Sequence, residues 1–385
     1  MTLLTGVRVV TPTGVLDPGW LRVDGERIAE LGAGPPPHGD ALELGGRWLL
    51  PGFVDMHVHG GGGAGYPSGD PEEARTAAAF HRSHGTTTTV ASLVTAAPAE
   101  LERAIRALTP LVRDGELAGI HLEGPYLSPD HPGAHDPALL RAPDPDELAG
   151  LLDDGAGAVR MVTLAPELPR GLELVRRTVD AGAVAAVGHT GATYDQARAA
   201  FDAGVRVATH LFNAMRPLHH REPGPALAAL EDARVTVEII NDGLHLHDAV
   251  AAHALATAGP ERTALVTDAM VAAGMPDGRY RLGSMEVDVV RGAARLSGGG
   301  SIAGSRLTMD VALRRAVREL AVPIADAARA AATTPARVLG LDDVGALAAG
   351  RRADLVVLDG ELELTAVMAG GSWLEGRAPV AASHV

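Results

Sequence analysis

His57 and His59 stand two residues apart in the run Pro51-Gly52-Phe53-Val54-Asp55-Met56-His57-Val58-His59-Gly60. Phe-Val-Asp-Met reads as a buried strand, opened by a Pro-Gly turn and closed by the glycines Gly60 to Gly63. Alternate residues of a strand share a face, so the two imidazoles point the same way, about 6–7 Å apart. Such a pair can chelate a divalent metal. Alone it is a weak signal, because two nearby histidines are more often ordinary residues. Later strand-like runs, however, also end in metal-ligand residue types. The third run, Gly119-Ile120-His121-Leu122-Glu123, gives Glu123; the fifth gives His189, the sixth His210 and the eighth Asp268, with Asp242 and His245 following the seventh. His57, His59, His189 and His210 with Glu123 and Asp268 make four histidines and two carboxylates on one rim, which is what zinc or iron(II) needs when no thiolate exists. Taken singly, His189 and His210 read as buried satisfied histidines, Glu123 as a turn cap and Asp268 as a helix N-cap. Only their joint placement at successive strand ends argues for a metal. His121 is read as structural, and His81, His84, His219, His220, His247 and His253 as helix or loop residues without a role.

The elements that must position these residues alternate. Apolar, β-branched runs occur at 86–91, 118–122, 159–164, 183–187, 206–209, 235–240 and 263–267, eight with the first. Helical patterns at 71–84, 98–112, 145–152, 171–181, 194–203 and 247–258 separate most of them, and two more follow at 308–320 and 324–332. Alternating strands and helices mean parallel strands, and eight fit a (β/α)8 TIM-type barrel with its site at the C-terminal strand ends. An open doubly wound sheet competes; ligand-type residues at several different strand ends favour the barrel. Both termini are strand-like instead: 6–10, a stretch over 20–32 with an Asp24-Gly25 hairpin signal, and 352–359 and 364–368 near the other end. The expected organisation is therefore residues 51–345 as the barrel, with 1–50 and 346–385 forming a small β-sandwich domain. Two long segments, 211–226 and 271–305, overhang the same barrel mouth, the second with a hairpin over 281–290 and 293–297. Segment 128–135 has the position of a lid. Long ordered loops in compact domains are usually functional.

Composition narrows the chemistry. With no cysteine there are no disulfides and no thiolate ligands, so any metal must sit on His, Asp and Glu. The net charge of −15, carried against arginine alone since the chain has no lysine, offers no basic patch and argues against a nucleic-acid partner. No window of about 18 apolar residues argues for a membrane span. The start lacks a basic then apolar leader, so the cytoplasm is the expected location.

The His57-x-His59 strand after Pro-Gly-Phe-Val-Asp resembles the amidohydrolase superfamily of metal-dependent barrel hydrolases. His-Leu-Glu-Gly-Pro-Tyr (121–126), Gly-Ala-His (133–135), Gly-His-Thr (188–190), His-Leu-Phe-Asn-Ala-Met (210–215), Arg-Glu-Pro-Gly (221–224), Asp-Gly-Leu-His (242–245) and Thr-Asp-Ala-Met (267–270) are similar to the N-acetylglucosamine-6-phosphate deacetylases within it. The resemblance implies that Glu123, His189 and His210 hold the main divalent metal and that His57 and His59 can hold a second, with Glu123 bridging. Zinc is the first expectation; iron, cobalt or manganese suit the same ligands. It implies Asp268 as general base and acid, and His135 as the group polarising the amide carbonyl. For a phosphorylated amino-sugar substrate it implies Arg221, His245, Asn213, Ala214, Ala134 and His135 as contacts, with Arg221 reaching across a homodimer. Two other readings stand beside it: a deacetylase for the galactosamine epimer, and a non-catalytic barrel, against which every expected ligand is present. A hydantoinase or dihydroorotase would normally need a lysine on strand four.

Overall fold

In the computed structural model, which describes residues 1–298 and 300–379, eight strands lie side by side in chain order. They are Phe53–Val58, Thr86–Val94, Gly119–Glu123, Val159–Leu164, Val184–Val187, Val207–Ala208, Thr236–Ile240 and Thr263–Val266. Neighbours from Thr86–Val94 onward pair in parallel. Almost every residue of these strands is buried, as expected of a parallel sheet covered on both faces, and this is why they read as continuous apolar runs. The last strand returns to the first: the Asp268 N–H donates to the His57 carbonyl at 2.8 Å, and the His59 N–H to the Ala269 carbonyl at 2.8 Å. These bonds close the cylinder at the rim that carries the histidines. The (β/α)8 TIM-type barrel expected from the alternation is the observed fold.

The helices between strands begin where local chemistry allows. Asp144 caps Pro145–Gly155 by accepting from the N–H groups of Asp146 and Glu147. Thr193 and Gln196 form a capping box ahead of Tyr194–Ala203, each side chain satisfying an orphan N–H of the first turn. Segment 211–226 is mostly loop, with a helix, Gly224–Glu231, starting near its end. The second insertion differs from its expectation. The stretch 281–290 is not one strand; Gly278–Leu282 and Met285–Val290 pair antiparallel, and Ala293–Leu296 adds a third strand. Gly283, at φ +56°, makes the turn that the apolar pattern alone concealed.

The described residues divide into two compact units, one within Met56–Phe80 and Thr89–Thr308, the other of Met1–Asp55, His81–Thr88 and the described residues from Met309 onward. The second unit unites both termini in a seven-stranded sheet, ordered Ser372–Trp373, Leu364–Ala369, Leu355–Leu358, Ala41–Pro51, Thr2–Thr11, Gly14–Asp24 and Arg27–Ala33. Its core of Leu4, Leu21, Ile28, Leu49, Leu355, Val357 and Met368 is buried. The Asp24-Gly25 hairpin is present, with Asp24 opposite Arg27. Among the described residues no helix is long and apolar enough to cross a membrane.

Candidate metal centre and active site

The first, third, fifth, sixth and eighth barrel strands deliver their polar residues where the strand stops and the chain must turn. His189, His210 and Asp268 all sit there with φ of +47°, +29° and +47°. Residues other than glycine adopt this left-handed region sparingly, and such strain gathers at functional sites. The result is one buried cluster. Glu123 lies at its centre, with Oε1 3.1 Å from Nε2 of His189 and 3.0 Å from Nε2 of His210. Its other oxygen, Oε2, is 3.1 Å from Nε2 of His59, and His57 Nε2 lies 3.5 Å from Oε1. The ligand atoms of His57, His59 and Glu123, and likewise of Glu123, His189 and His210, all lie within 4.8 Å of one another.

The other ring nitrogens show which atoms face inward with lone pairs. His57 Nδ1 donates to Glu238 Oε2 at 2.9 Å, His59 Nδ1 to the Ser92 carbonyl at 3.2 Å, and His189 Nδ1 to the His131 carbonyl at 3.0 Å. A proton spent on Nδ1 leaves Nε2 as an acceptor in the neutral ring. His57 and His59 then face each other Nε2 to Nε2 at 3.2 Å, and His189 and His210 at 3.0 Å. Lone pairs converging on each other and on a carboxylate are what a divalent cation requires, and outward Nδ1–H bonds are the usual support of metal-bound histidine. The donor set thus fits a metal ion, held by nitrogen and oxygen alone.

Charge in the cluster is strongly shared. Burial pushes the Glu123 carboxyl up, but the facing His57 and His135 outweigh it and hold Glu123 well below the usual carboxylate range. Asp268 is likewise held down against burial, by His57 and His59. Burial lowers His59, yet its hydrogen bonds to Asp268 and Glu123 raise it to about 9, so without a cation Nε2 keeps a proton that a bound ion would displace to expose the lone pair. His189 goes the other way, to about 4, through burial and then the charge of His135.

Asp268 Oδ1 lies 3.2 Å from His59 Nε2 and 3.6 Å from His57 Nε2. That is close enough to exchange a proton with a molecule bound at the cluster. His135 Nδ1 accepts the Thr95 N–H at 3.3 Å. That leaves a ring proton on Nε2, 3.3 Å from Glu123 Oε2. Both groups line a cavity of about 450 Å³ together with His59, Glu123, His189 and His210. Ala134, Asn213, Ala214 and His245 line it too. His245 is fixed by Asp242, whose Oδ2 accepts from His245 Nδ1 at 2.7 Å. The backbone N–H groups of Ala134 and Ala214 donate to no acceptor among the described residues. Arg221 is exposed on its loop and is not among the residues lining this cavity.

The segment 128–135 is tied to the cluster at both faces of His189. Its Ser128 N–H donates to the His189 carbonyl at 2.9 Å, and its His131 carbonyl accepts from the His189 Nδ1–H. His121, read as structural, is a buried link: Nδ1 is 2.9 Å from Ser92 Oγ and Nε2 2.8 Å from Thr163 Oγ1, which is 2.8 Å from Thr209 Oγ1. Sequence reasoning missed Glu238. The signal was a lone acid inside Val235-Thr236-Val237-Glu238-Ile239-Ile240, a run otherwise apolar or β-branched.

Comparison with known proteins agrees with this geometry. Residues 48–374 match the profile described as the Amidohydrolase family. An N-acetylgalactosamine-6-phosphate deacetylase of Escherichia coli O157:H7 is 37% identical over 97% of this chain and 98% of its own length. An N-acetylglucosamine-6-phosphate deacetylase of Vibrio furnissii is 36% identical over 88% of this chain and 85% of its own. Among solved structures, the N-acetyl-D-glucosamine-6-phosphate deacetylase of Mycobacterium smegmatis, an aspartate-to-alanine mutant holding N-acetyl-D-glucosamine-6-phosphate, is 53% identical with a TM-score of 0.94 over 97% of this chain and 98% of that one. The family implies a divalent metal, in keeping with the ligand groups around Glu123. This chain belongs to the amidohydrolase family.

Proposed function

We propose that the protein hydrolyses the acetamide of N-acetyl-D-glucosamine 6-phosphate, giving glucosamine 6-phosphate and acetate. The observation that carries the reading is Glu123 set between two inward-facing histidine pairs on the wall of a cavity that Asp268 and the Nε2–H of His135 also line. In this reading Glu123, His189 and His210 would hold the main ion, and His57 and His59 together with Glu123 would hold a second. Zinc is the expected metal; iron, cobalt and manganese suit the same donors. A divalent ion held there would supply a water with its pKa lowered to about 7 and would polarise a carbonyl oxygen.

The side chains supply the rest. Asp268 accepts the proton of the attacking water and passes it to the amine nitrogen as the carbon–nitrogen bond breaks, because an amine cannot leave as an anion. His135 Nε2–H donates to the amide oxygen where negative charge gathers. His245, Asn213 and the backbone N–H groups of Ala134 and Ala214 orient the sugar phosphate. Arg221 supplies the planar fork for the phosphate, acting in the cavity of a partner subunit, so the working form is a homodimer in the cytoplasm. The limits 51–345 for the catalytic domain and 1–50 with 346–385 for the β domain belong to the same reading.

The test is acetate release by the purified protein, metal-loaded and chelated, with N-acetylglucosamine 6-phosphate, its galactosamine epimer and the unphosphorylated sugar. No release from either phosphate with metal present refutes the reading. The E. coli relative, named for the epimer and matched over nearly its whole length, favours a second reading in which the galactosamine phosphate is preferred; the same assay ranks the two.

A further inference from the structure

Glu238 lies on the seventh barrel strand and is fully buried. Its Oε2 does two things at once: it accepts the Nδ1–H of His57 at 2.9 Å and the backbone N–H of His210 at 3.0 Å. His57 belongs to one candidate ligand group and His210 to the other. A single carboxylate oxygen therefore fixes which nitrogen His57 turns inward and also pins the backbone from which His210 projects. His210 is the ligand held least by its own ring, since its Nδ1 has no hydrogen-bond partner among the described residues. Its placement depends on the backbone, at the left-handed φ of +29°, and the Glu238 oxygen is the acceptor that holds its N–H there. The second oxygen of Glu238, Oε1, has no partner among the described residues, so the carboxylate is not spent on another network.

We infer that Glu238 is a positioning residue that couples the two metal positions, orienting His57 through its side chain and His210 through its backbone with one buried oxygen acceptor. The inference rests on the metal-centre reading above. It follows from general behaviour: carboxylates behind metal-bound histidines set ring tautomer and orientation, and their loss costs about 10–100-fold in metal affinity. What is particular here is that one oxygen serves two ligands on different strands.

The test compares Glu238→Met, close in volume but without an acceptor, with Glu238→Gln, which can keep an oxygen in the same place. Zinc and cobalt(II) are titrated into the metal-free proteins by calorimetry, with metal content counted after dialysis and far-UV dichroism recording the fold. The wild type is expected to hold two ions. The Met variant is expected to lose about tenfold or more in affinity at both positions, and the Gln variant to stay within a few-fold of wild type. A folded Met variant that binds both ions like wild type overturns the inference, as does loss at only one position. Should the Met variant fail to fold, a Gln variant that loses as much as tenfold overturns it, because charge rather than a placed acceptor would then be the requirement. A wild type that holds no ion refutes the metal-centre reading itself, while a wild type with one position refutes the coupling alone.

Discussion

Gly133 lies so close to His189 that a β-carbon at Gly133 would stand 2.7 Å from the ring Cε1. The same glycine has φ +59°, where other residues are strained. Its lack of a side chain therefore lets the 128–135 segment press on the ring whose Nδ1 it also binds. Gly133→Ala must push that ring or the segment aside. The left-handed backbone alone costs about 1–2 kcal/mol, and the displaced ring should lower affinity for the ion proposed to sit at Glu123, His189 and His210 by about tenfold or more. Metal titration beside a denaturant melt checks this; a variant with wild-type metal affinity would show that the ring has room to move.

In the proposed reaction Asp268 and His135 divide the proton work differently, so their variants should fail differently. Asp268→Asn removes the base and is expected to lower kcat by about 10²–10⁴-fold with metal still bound. His135→Ala removes a donor to the developing oxyanion and is expected to lower kcat by about 10²–10³-fold, with KM changing less. Steady-state acetate release with metal content measured on the same samples decides both. Near-normal turnover in metal-loaded Asp268→Asn would remove Asp268 from the chemistry.

Arg221 is exposed and absent from the cavity wall of its own chain, which makes its proposed role testable by mixing. Arg221→Ala should raise KM for the phosphorylated sugar much more than for an unphosphorylated analogue. If the residue acts across a dimer, unfolding and refolding Arg221→Ala together with Asp268→Asn should restore up to about a quarter of wild-type activity, since one site in a mixed dimer then has both residues intact. Equal KM effects on both substrates and no recovery on mixing would place Arg221 outside substrate binding.

Acid stability should carry the signature of Asp232 at the end of Gly224–Glu231. Hydrogen bonds from Arg234, 2.9 Å to Oδ1 and 2.6 Å to Oδ2, hold its carboxyl down at about 2. A depressed folded-state value means stabilisation present above about pH 4, the ordinary carboxyl range, and lost as pH falls toward 2. Arg234 is partly exposed, so the contribution is screened to about 1 kcal/mol at neutral pH. Asp232→Asn should be less stable by that amount at pH 7, with the difference shrinking below pH 4. Urea unfolding at pH 7 and pH 3 reads it, and a gap constant with pH would refute the assignment.

How far the sequence reached depends on range. Strand and helix periods are local, so the eight runs and most of the helices between them were legible, as was the Asp24-Gly25 hairpin, whereas Gly224–Glu231 lay in a stretch that reads as loop. Glycine turns inside apolar stretches were not: Gly283 splits 281–290 because a positive φ is needed there, and no hydrophobic period reports φ. The residues now found around Glu123 were legible for a related reason. Parallel strands of a barrel end on one rim, so ligand-type residues at strand ends are brought together by topology alone.

What the sequence by itself determined is the donor inventory: histidine and carboxylate without thiol or lysine, spaced so that one rim collects them. Only the tertiary structure decided how each donor faces. The tautomers of His57, His59 and His189 depend on Glu238, Ser92 and His131, which are remote in the chain and meet them only once the cylinder closes. The proton on His135 is likewise set by the Thr95 N–H. Hydrogen bonds act over about 3 Å, so which nitrogen carries a proton is a property of packed neighbours and not of the order of residues.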